Sequence, residues 1–362
     1  MEKLSWSSAR RVLCVRLDTI GDVLMCGPAM RALRRDGRRL TLLTSPSGAA
    51  IAGLMPEVDD VIVYEAPWMK ATPERADPAP DSLLIGSLAA QDFDAAVIFT
   101  TFSQSPLPAA LTCWHAGIPL RLAHCRENPY QLLTNWVRES DSELDTRHEV
   151  RRQLDLVATV GADTPDERLA VLVPADARER VDGLLAEEGI ERSRPWAVVH
   201  PGATAPSRRY PAASWREVCR HLADGHGLQL VLSGDKSERE LVEEVRAASG
   251  VRQASLAGRL DLAGLAALLD AAPLLLAGNT GPVHLAAALG TPVVDLYALT
   301  NPQHTPWQVE SRVLSHNVPC RWCFSSVCRE RHHLCLRGVA PEKVVGAALE
   351  LLHGAHNRGG LR

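Results

Sequence analysis

Two glycine-marked turns, far apart in the 362-residue chain, carry residue types that could handle a phosphate-bearing ligand. The first is Asp18-Thr19-Ile20-Gly21-Asp22, directly after the apolar run from Val12 to Leu17. The second is Gly278-Asn279-Thr280-Gly281-Pro282-Val283-His284, directly after Pro273-Leu274-Leu275-Leu276-Ala277. Each reads as the exit of a buried strand into the start of a helix. Free N–H groups there can meet an anion or a carbonyl. In the first turn, Asp22 stands where the helix dipole favours a negative charge. It suits a general base for a hydroxyl, and it equally suits an N-capping aspartate. Asp18 is a second acid, nearer the strand end and explicable as a turn former. In the second turn, Gly278 and Gly281 permit close approach of the backbone. Thr280 can cap the helix through its hydroxyl, Pro282 suits the first helical turn, and His284 falls one turn further down. A generic turn with a core-packed histidine is the competing account.

Between these turns lies His200-Pro201-Gly202-Ala203-Thr204, followed by Arg208-Arg209-Tyr210-Pro211 and Trp215. Arginine forks make paired, charge-assisted bonds that suit a diphosphate, although surface charges would look the same. Gly234-Asp235, at another strand exit, adds a further contact. No GxxxxGK[ST] loop is present, so ATP hydrolysis is not indicated. No glycine triplet opens the first helix, which argues against a nicotinamide site. Cys320, Cys323, Cys328 and Cys335 lie within sixteen residues, with His332 and His333 between them. A Cys-x2-Cys pair beside two more cysteines permits a structural, tetrahedral zinc. Buried free thiols or an oxidised pair are the alternatives.

Elements that alternate between strand and helix must position these turns. Strands are expected at Arg11–Leu17, Leu40–Thr44, Val61–Tyr64, Ala95–Thr100 and Gly117–Ala123, and helices at Val23–Arg35, Leu83–Ala90 and Thr146–Thr159. Pro67–Pro80 holds four prolines and reads as a surface loop. A linker is expected within about 162 to 194, after which the rhythm restarts. Strands at 197–200, 228–232, 254–257, 274–277 and 293–297 alternate with helices at Ser214–Ala223, Ser237–Ala248, Leu262–Leu269 and near Thr280. A helix at Pro341–Leu352 closes the chain. This pattern predicts an α/β protein with two doubly wound domains rather than a barrel.

Composition sets outer limits. The apolar share of 46% and charged share of 23% are those of a soluble globular protein. A net charge of −4 with interspersed signs gives no nucleic-acid footprint, and the basic run Arg34–Arg39 is too short to change that. No signal-peptide order and no membrane-spanning apolar run is evident. Nine cysteines, an odd number, argue against a disulfide framework. A cytoplasmic protein without a transmembrane segment is the expectation, peripheral contact with the inner face of a membrane being compatible with it.

Taken in order, several short motifs resemble the bacterial heptosyltransferase family (glycosyltransferase family 9). They are Gly21-Asp22-Val23 with Pro28, His148-Glu149-Val150-Arg151-Arg152, Pro201-Gly202-Ala203, Arg208-Arg209-Tyr210-Pro211 with Trp215, and Ser233-Gly234. The most specific is Asn279-Thr280-Gly281-Pro282-Val283-His284-Leu285-Ala286-Ala287, ending in Gly290-Thr291-Pro292-Val293-Val294. The resemblance implies a GT-B architecture, two Rossmann-like domains facing a cleft. Residues 1–170 would bind the acceptor and 171–340 the nucleotide sugar, with the tail 341–362 packing back on the N-terminal domain. It implies an inverting transfer that needs no catalytic cofactor. Asp22 would be the general base, with Asp18, Thr19 and Gly21 on the acceptor side. Arg208 would stand for the family's usual lysine and face the donor phosphates. Gly202, Thr204, Arg209, Gly234, Asn279, Thr280, Gly281 and His284 would line the donor. Asn279 departs from the aspartate often found there, which leaves the sugar open. A nucleotide-diphosphate sugar is expected, ADP-heptose being the first to consider. The acceptor would be a glycan, a lipid-linked glycan or a small molecule. A non-catalytic nucleotide-sugar or glycan binding protein is the alternative. An epimerase on the same fold would want further carboxylates.

Overall fold

The computed structural model describes residues 4–34, 37–70, 72–139, 147–247 and 253–358. Residues 35 and 36 of the basic run, Ala71 of the proline-rich loop, Thr146, Ala248 and the tail 359–362 lie outside the described residues. Contacts divide the chain into two units, Met1–Ala170 and Val171–Arg362.

In the first unit, Arg-Val-Leu-Cys-Val-Arg forms β1 (Arg11–Arg16), buried on both faces after its first residue. Such a strand can only sit inside a sheet covered by helices, and the unit is built that way. β2 (Arg39–Thr44), β3 (Asp60–Val63), β4 (Ala95–Ile98), β5 (Leu120–Cys125) and β6 (Asn135–Arg138) join it in a parallel sheet of order β3-β2-β1-β4-β5-β6. Leu13, Val15 and Leu17 share one face and pack with Leu84, Leu88, Ala110 and Cys113 of two helices. Arg16 belongs to the other alternation, with Val12 and Cys14.

The second unit repeats the plan with β7 (Trp196–His200), β8 (Gln229–Leu232), β9 (Ala254–Ser255), β10 (Leu275–Gly278), β11 (Val293–Leu296) and β12 (Ser311–Leu314). Its order, β12-β11-β10-β7-β8-β9, is again parallel throughout. Each sheet is therefore doubly wound. Strand order reverses beside β1 in one and beside β7 in the other, and ligands of such sheets bind at the carboxyl ends of the strands at that point. Val199, Leu232, Leu276 and Leu296 pack with Trp215 and Val218 of the helix Ala212–Arg220. The last helix, Pro341–Arg358, contributes Val344, Ala348 and Leu351 to the same core. The helix Pro341–Arg358 is thus a layer of the second unit. No helix among the described residues is long and apolar enough to cross a membrane.

Several local expectations are corrected. The helix expected over 23–35 is two, Ile20–Met25 and Gly27–Leu33, broken where Gly27-Pro28 restarts it. Within the span expected for the linker, the stretch from Val173 that reads towards a helix becomes the helix Ala175–Glu187, whose Ala177, Val181 and Leu185 are buried. Helices Pro46–Ala52 and Leu107–His115 and strands β6 and β12 were not anticipated.

Candidate active site

At the carboxyl end of β1, the buried Arg16 organises three acids. Its Nε lies 2.9 Å from Asp18, Nη2 lies 3.2 Å from Asp22 Oδ1, and Nη1 lies 3.0 Å from Glu149 Oε1. Arg16 and Glu149 are fully buried, whereas the Asp22 side chain keeps 16% of its surface exposed. The negative surroundings hold the Arg16 guanidinium charged against the cost of its burial. Glu149 also accepts from Gln153 Nε2 at 2.7 Å and lies 3.6 Å from Arg152. Arg152 in turn grips Glu139 with two bonds of 2.6 and 2.8 Å.

Asp22 is not the N-cap. Thr19 holds that position, and Asp22 is the third residue of the helix Ile20–Met25. Its Oδ2 accepts from the Thr19 hydroxyl at 2.8 Å and from the Thr19 backbone N–H at 3.3 Å. The carboxylate is thereby fixed from two sides, by a cation and by its own helix start. Asp18 does more than form a turn. It accepts from Gln104 Nε2 at 2.6 Å and lines a cavity of about 290 Å³ with Leu17, Trp68, Phe99 and Gln104. Burial pushes the Asp18 carboxyl up to about 6, with Arg16 and Gln104 pulling down and Asp22 and Glu149 pushing up.

In the second unit the residues expected on the donor side collect at the ends of β7, β8 and β10. A Cβ at Gly278 would stand 2.9 Å from the backbone oxygen of Arg208, so only glycine lets these segments meet. Arg208 Nη1 donates to the backbone oxygen of Asn279 at 3.4 Å. Thr280 is the N-cap of the helix Gly281–Leu289, yet its hydroxyl does not cap it. That group donates to Gly278 O at 3.1 Å. His284 is buried in the first turns of this helix, its ring 6.5 Å from that of His304.

Gly202 lies against the side chain of Glu238. A Cβ there would meet the Glu238 carboxylate at 2.0 Å, so a side chain already fills that side of the loop. Glu238 accepts from the Asp235 N–H at 2.9 Å and lies 3.6 Å from His200 Nε2. Burial lowers the His200 imidazole despite the nearby Glu238 and Asp235. Gly234 packs closely on Val242 and Glu238. Thr204 and Arg209 are exposed, and Arg209 Nε braces the loop by donating to Ala203 O at 2.7 Å.

Sequence reasoning gave no role to Arg16, Gln104, Glu238 and Asp295, and named Glu149 only within the motif His148-Glu149-Val150-Arg151-Arg152. Two signals were present. An arginine closes an otherwise apolar buried strand, and Asp235-x-x-Glu238 has the spacing of a capping box. Among the described residues, no three His, Cys, Asp or Glu side chains are grouped to hold a metal. No disulfide joins the four clustered cysteines.

Comparison with known proteins agrees with both units. The family model described as "Glycosyltransferase family 9 (heptosyltransferase)" matches residues 83–334, well over half of the chain. A lipooligosaccharide heptosyltransferase 2 of Campylobacter jejuni is 27% identical over 164 residues, 44% of this chain and 51% of that relative. The chain thus spans about half the length of that relative. The crystal structure of a family 9 glycosyl transferase from Veillonella parvula superposes with a TM-score of 0.80 at 19% identity, covering 97% of this chain and 99% of the other. The structure of E. coli ADP-heptose lps heptosyltransferase II gives 0.74 at 23%, covering 96% and 99%. These likenesses show the GT-B fold, two Rossmann-like lobes.

Proposed function

The chain belongs to glycosyltransferase family 9, and from this premise we propose that it is an inverting glycosyltransferase using a nucleotide-diphosphate sugar. The observation that carries the reading is Asp22, fixed by Arg16 and Thr19 at a helix start beside the switch point of the first sheet. Asp22 takes the proton of the acceptor hydroxyl as that oxygen forms its bond to the anomeric carbon. The bond from that carbon to the diphosphate breaks, and the electron pair leaves on the phosphate oxygen. One displacement of this kind inverts the centre. Arg208 and the N-terminus of the helix Gly281–Leu289 stabilise the leaving diphosphate, where charge grows in the transition state. Asn279, Thr280, Gly281 and His284 hold the donor, while Gly202, Thr204, Arg209 and Gly234 flank its nucleotide. Asp18, Thr19 and Gly21 stand on the acceptor side.

ADP-heptose is the first donor to test, because a fold relative is an ADP-heptose enzyme. The acceptor is a glycan, a lipid-linked glycan or a small-molecule hydroxyl. A lipid-linked acceptor would bring the protein to the inner face of the membrane as a peripheral enzyme. The test is a binding screen of ADP-, GDP-, UDP- and dTDP-sugars, then transfer with the best ligand. Donor-dependent transfer supports the reading. Tight binding with no transfer to any of the three acceptor classes favours a non-catalytic binding protein.

A structural zinc on Cys320, Cys323, Cys328 and Cys335 is a separate proposal. Cys320 Sγ lies 3.7 Å from His332 Nε2. Burial raises the Cys335 thiol, and Cys328, Cys323 and Cys320 are close enough to push it further. These thiols do not stand as a ready donor set. Zinc would therefore draw them together as a staple, with no part in the transfer.

A further inference from the structure

The side-chain amide of Asn279 has its nitrogen tied by two acceptors. Nδ2 donates to Asp295 Oδ2 at 3.2 Å and to the backbone oxygen of His304 at 2.7 Å. Asp295 pairs in register with Ala277 in the parallel ladder of β10 and β11, so 277, 279 and 295 share one face of the sheet. Asp295 is fully buried, and its Oδ1 has no hydrogen-bond partner among the described residues. The His304 carbonyl can only accept, and Asp295 Oδ2 stands beside it, so that side of the amide takes its NH2 group. The amide therefore has one orientation. Its Oδ1, which has no partner among the described residues, is the end left for a ligand.

We infer that Asp295 is the positioning residue that makes Asn279 an acceptor-only contact for a hydroxyl of the donor sugar. The inference rests on the reading of Asn279 as a donor-side residue. A burial cost supports it. A charged or polar group with an unmatched oxygen is expensive to bury, so Asp295 brings a penalty that orienting Asn279 offsets only in part. The same geometry explains why residue 279 is an amide. A carboxylate at 279 would face the His304 carbonyl, which has no proton to give, and would stand against a second acid at 295. The two positions are therefore coupled, and the acid stands one strand away from the donor turn.

The test is a double-mutant cycle with Asn279→Asp, Asp295→Asn and the double variant. ADP-heptose is the donor probe and ADP the nucleotide probe. Wild-type transfer is measured first. If the wild type transfers nothing from any sugar nucleotide, the enzymatic reading fails and the cycle is read by donor binding and melting temperature alone. Asn279→Asp is expected to lower kcat/KM for the donor about tenfold or more, and to lower the melting temperature. In the double variant the amide at 295 donates to the carboxylate at 279, and both quantities recover in part towards wild type, the His304 carbonyl still facing that carboxylate. ADP affinity stays level across the set, since the contact is with the sugar. Asp295→Leu, which leaves the Asn279 amide held by the His304 carbonyl alone, lowers donor kcat/KM with ADP affinity unchanged. A double variant no better than Asn279→Asp overturns the inference. So does an ADP affinity that falls in step with the donor's.

Discussion

Nη2 of Arg16 stands 3.2 Å from Oδ1 of Asp22, while the same guanidinium contacts Asp18 and Glu149. One buried cation thus aims the proposed base and keeps three acids from repelling one another. Removing one partner of a buried pair leaves uncompensated charge, at a cost of about 3–5 kcal/mol. Arg16→Met, which keeps the length and loses the charge, is expected to lower unfolding free energy by about that amount. Chemical denaturation of both proteins measures it. A variant as stable as wild type would show that the acids are screened by some other group.

Asp22→Asn separates chemistry from binding. The amide can still face Arg16 and Thr19, but it cannot take the acceptor proton. Turnover is expected to fall about 10²–10⁴-fold, with nucleotide affinity unchanged by calorimetry. Arg208→Ala is the contrast, because its guanidinium lies beside the turn at Asn279, proposed to hold the donor. It should weaken donor binding and turnover together. Lost nucleotide binding in Asp22→Asn, with the rate preserved, would reverse the two roles.

The two turns were legible because each combines glycine, a polar capping residue and a preceding apolar run, all of them local features. The doubly wound plan followed from the same alternation of strand and helix. The partners of the acids were not legible, since Arg16 and Glu149 are separated by 133 residues and meet only through the fold. Asp295 read as one polar residue in an apolar strand, and its partner became visible only in the register of β10 and β11. The edge strands β6 and β12 were missed for another reason. Their burial is partial along their length, so neither reads as a continuous apolar run. The helices Pro46–Ala52 and Leu107–His115 start at or beside proline in short segments that resemble loops. The Thr280 hydroxyl was assigned to capping on residue type, whereas the Gly278 carbonyl takes it instead.

For the cysteine cluster, metal analysis of protein purified without added metal is expected to give about one zinc per chain under the zinc proposal. Cys320→Ser with Cys323→Ser should abolish it, lower the melting temperature and leave donor KM unchanged. Four freely titratable thiols in this segment, with no metal in the purified protein, would favour the free-thiol account.

Asp295 also fixes a pH dependence of stability. Burial pushes its carboxyl up to about 7, and the Asn279 N–H and the Arg208 charge pull it down only in part. An unfolded aspartate titrates near ~3.9. Between these values the folded chain holds a proton that the unfolded chain has released. The stabilising contribution is therefore complete below about pH 4 and is lost as pH rises through about 7. Arg208, Tyr297 and the His304 segment surround the group. In Asp295→Asn the term is absent. The stability difference, variant minus wild type, should then shift in the variant's favour between pH 4 and 7, by up to on the order of 4 kcal/mol. Unfolding curves of the two proteins across that range measure it, and only the slope of the difference counts. Parallel profiles would mean that Asp295 keeps an ordinary carboxylate pKa, and that its burial is relieved by a group outside the contacts described.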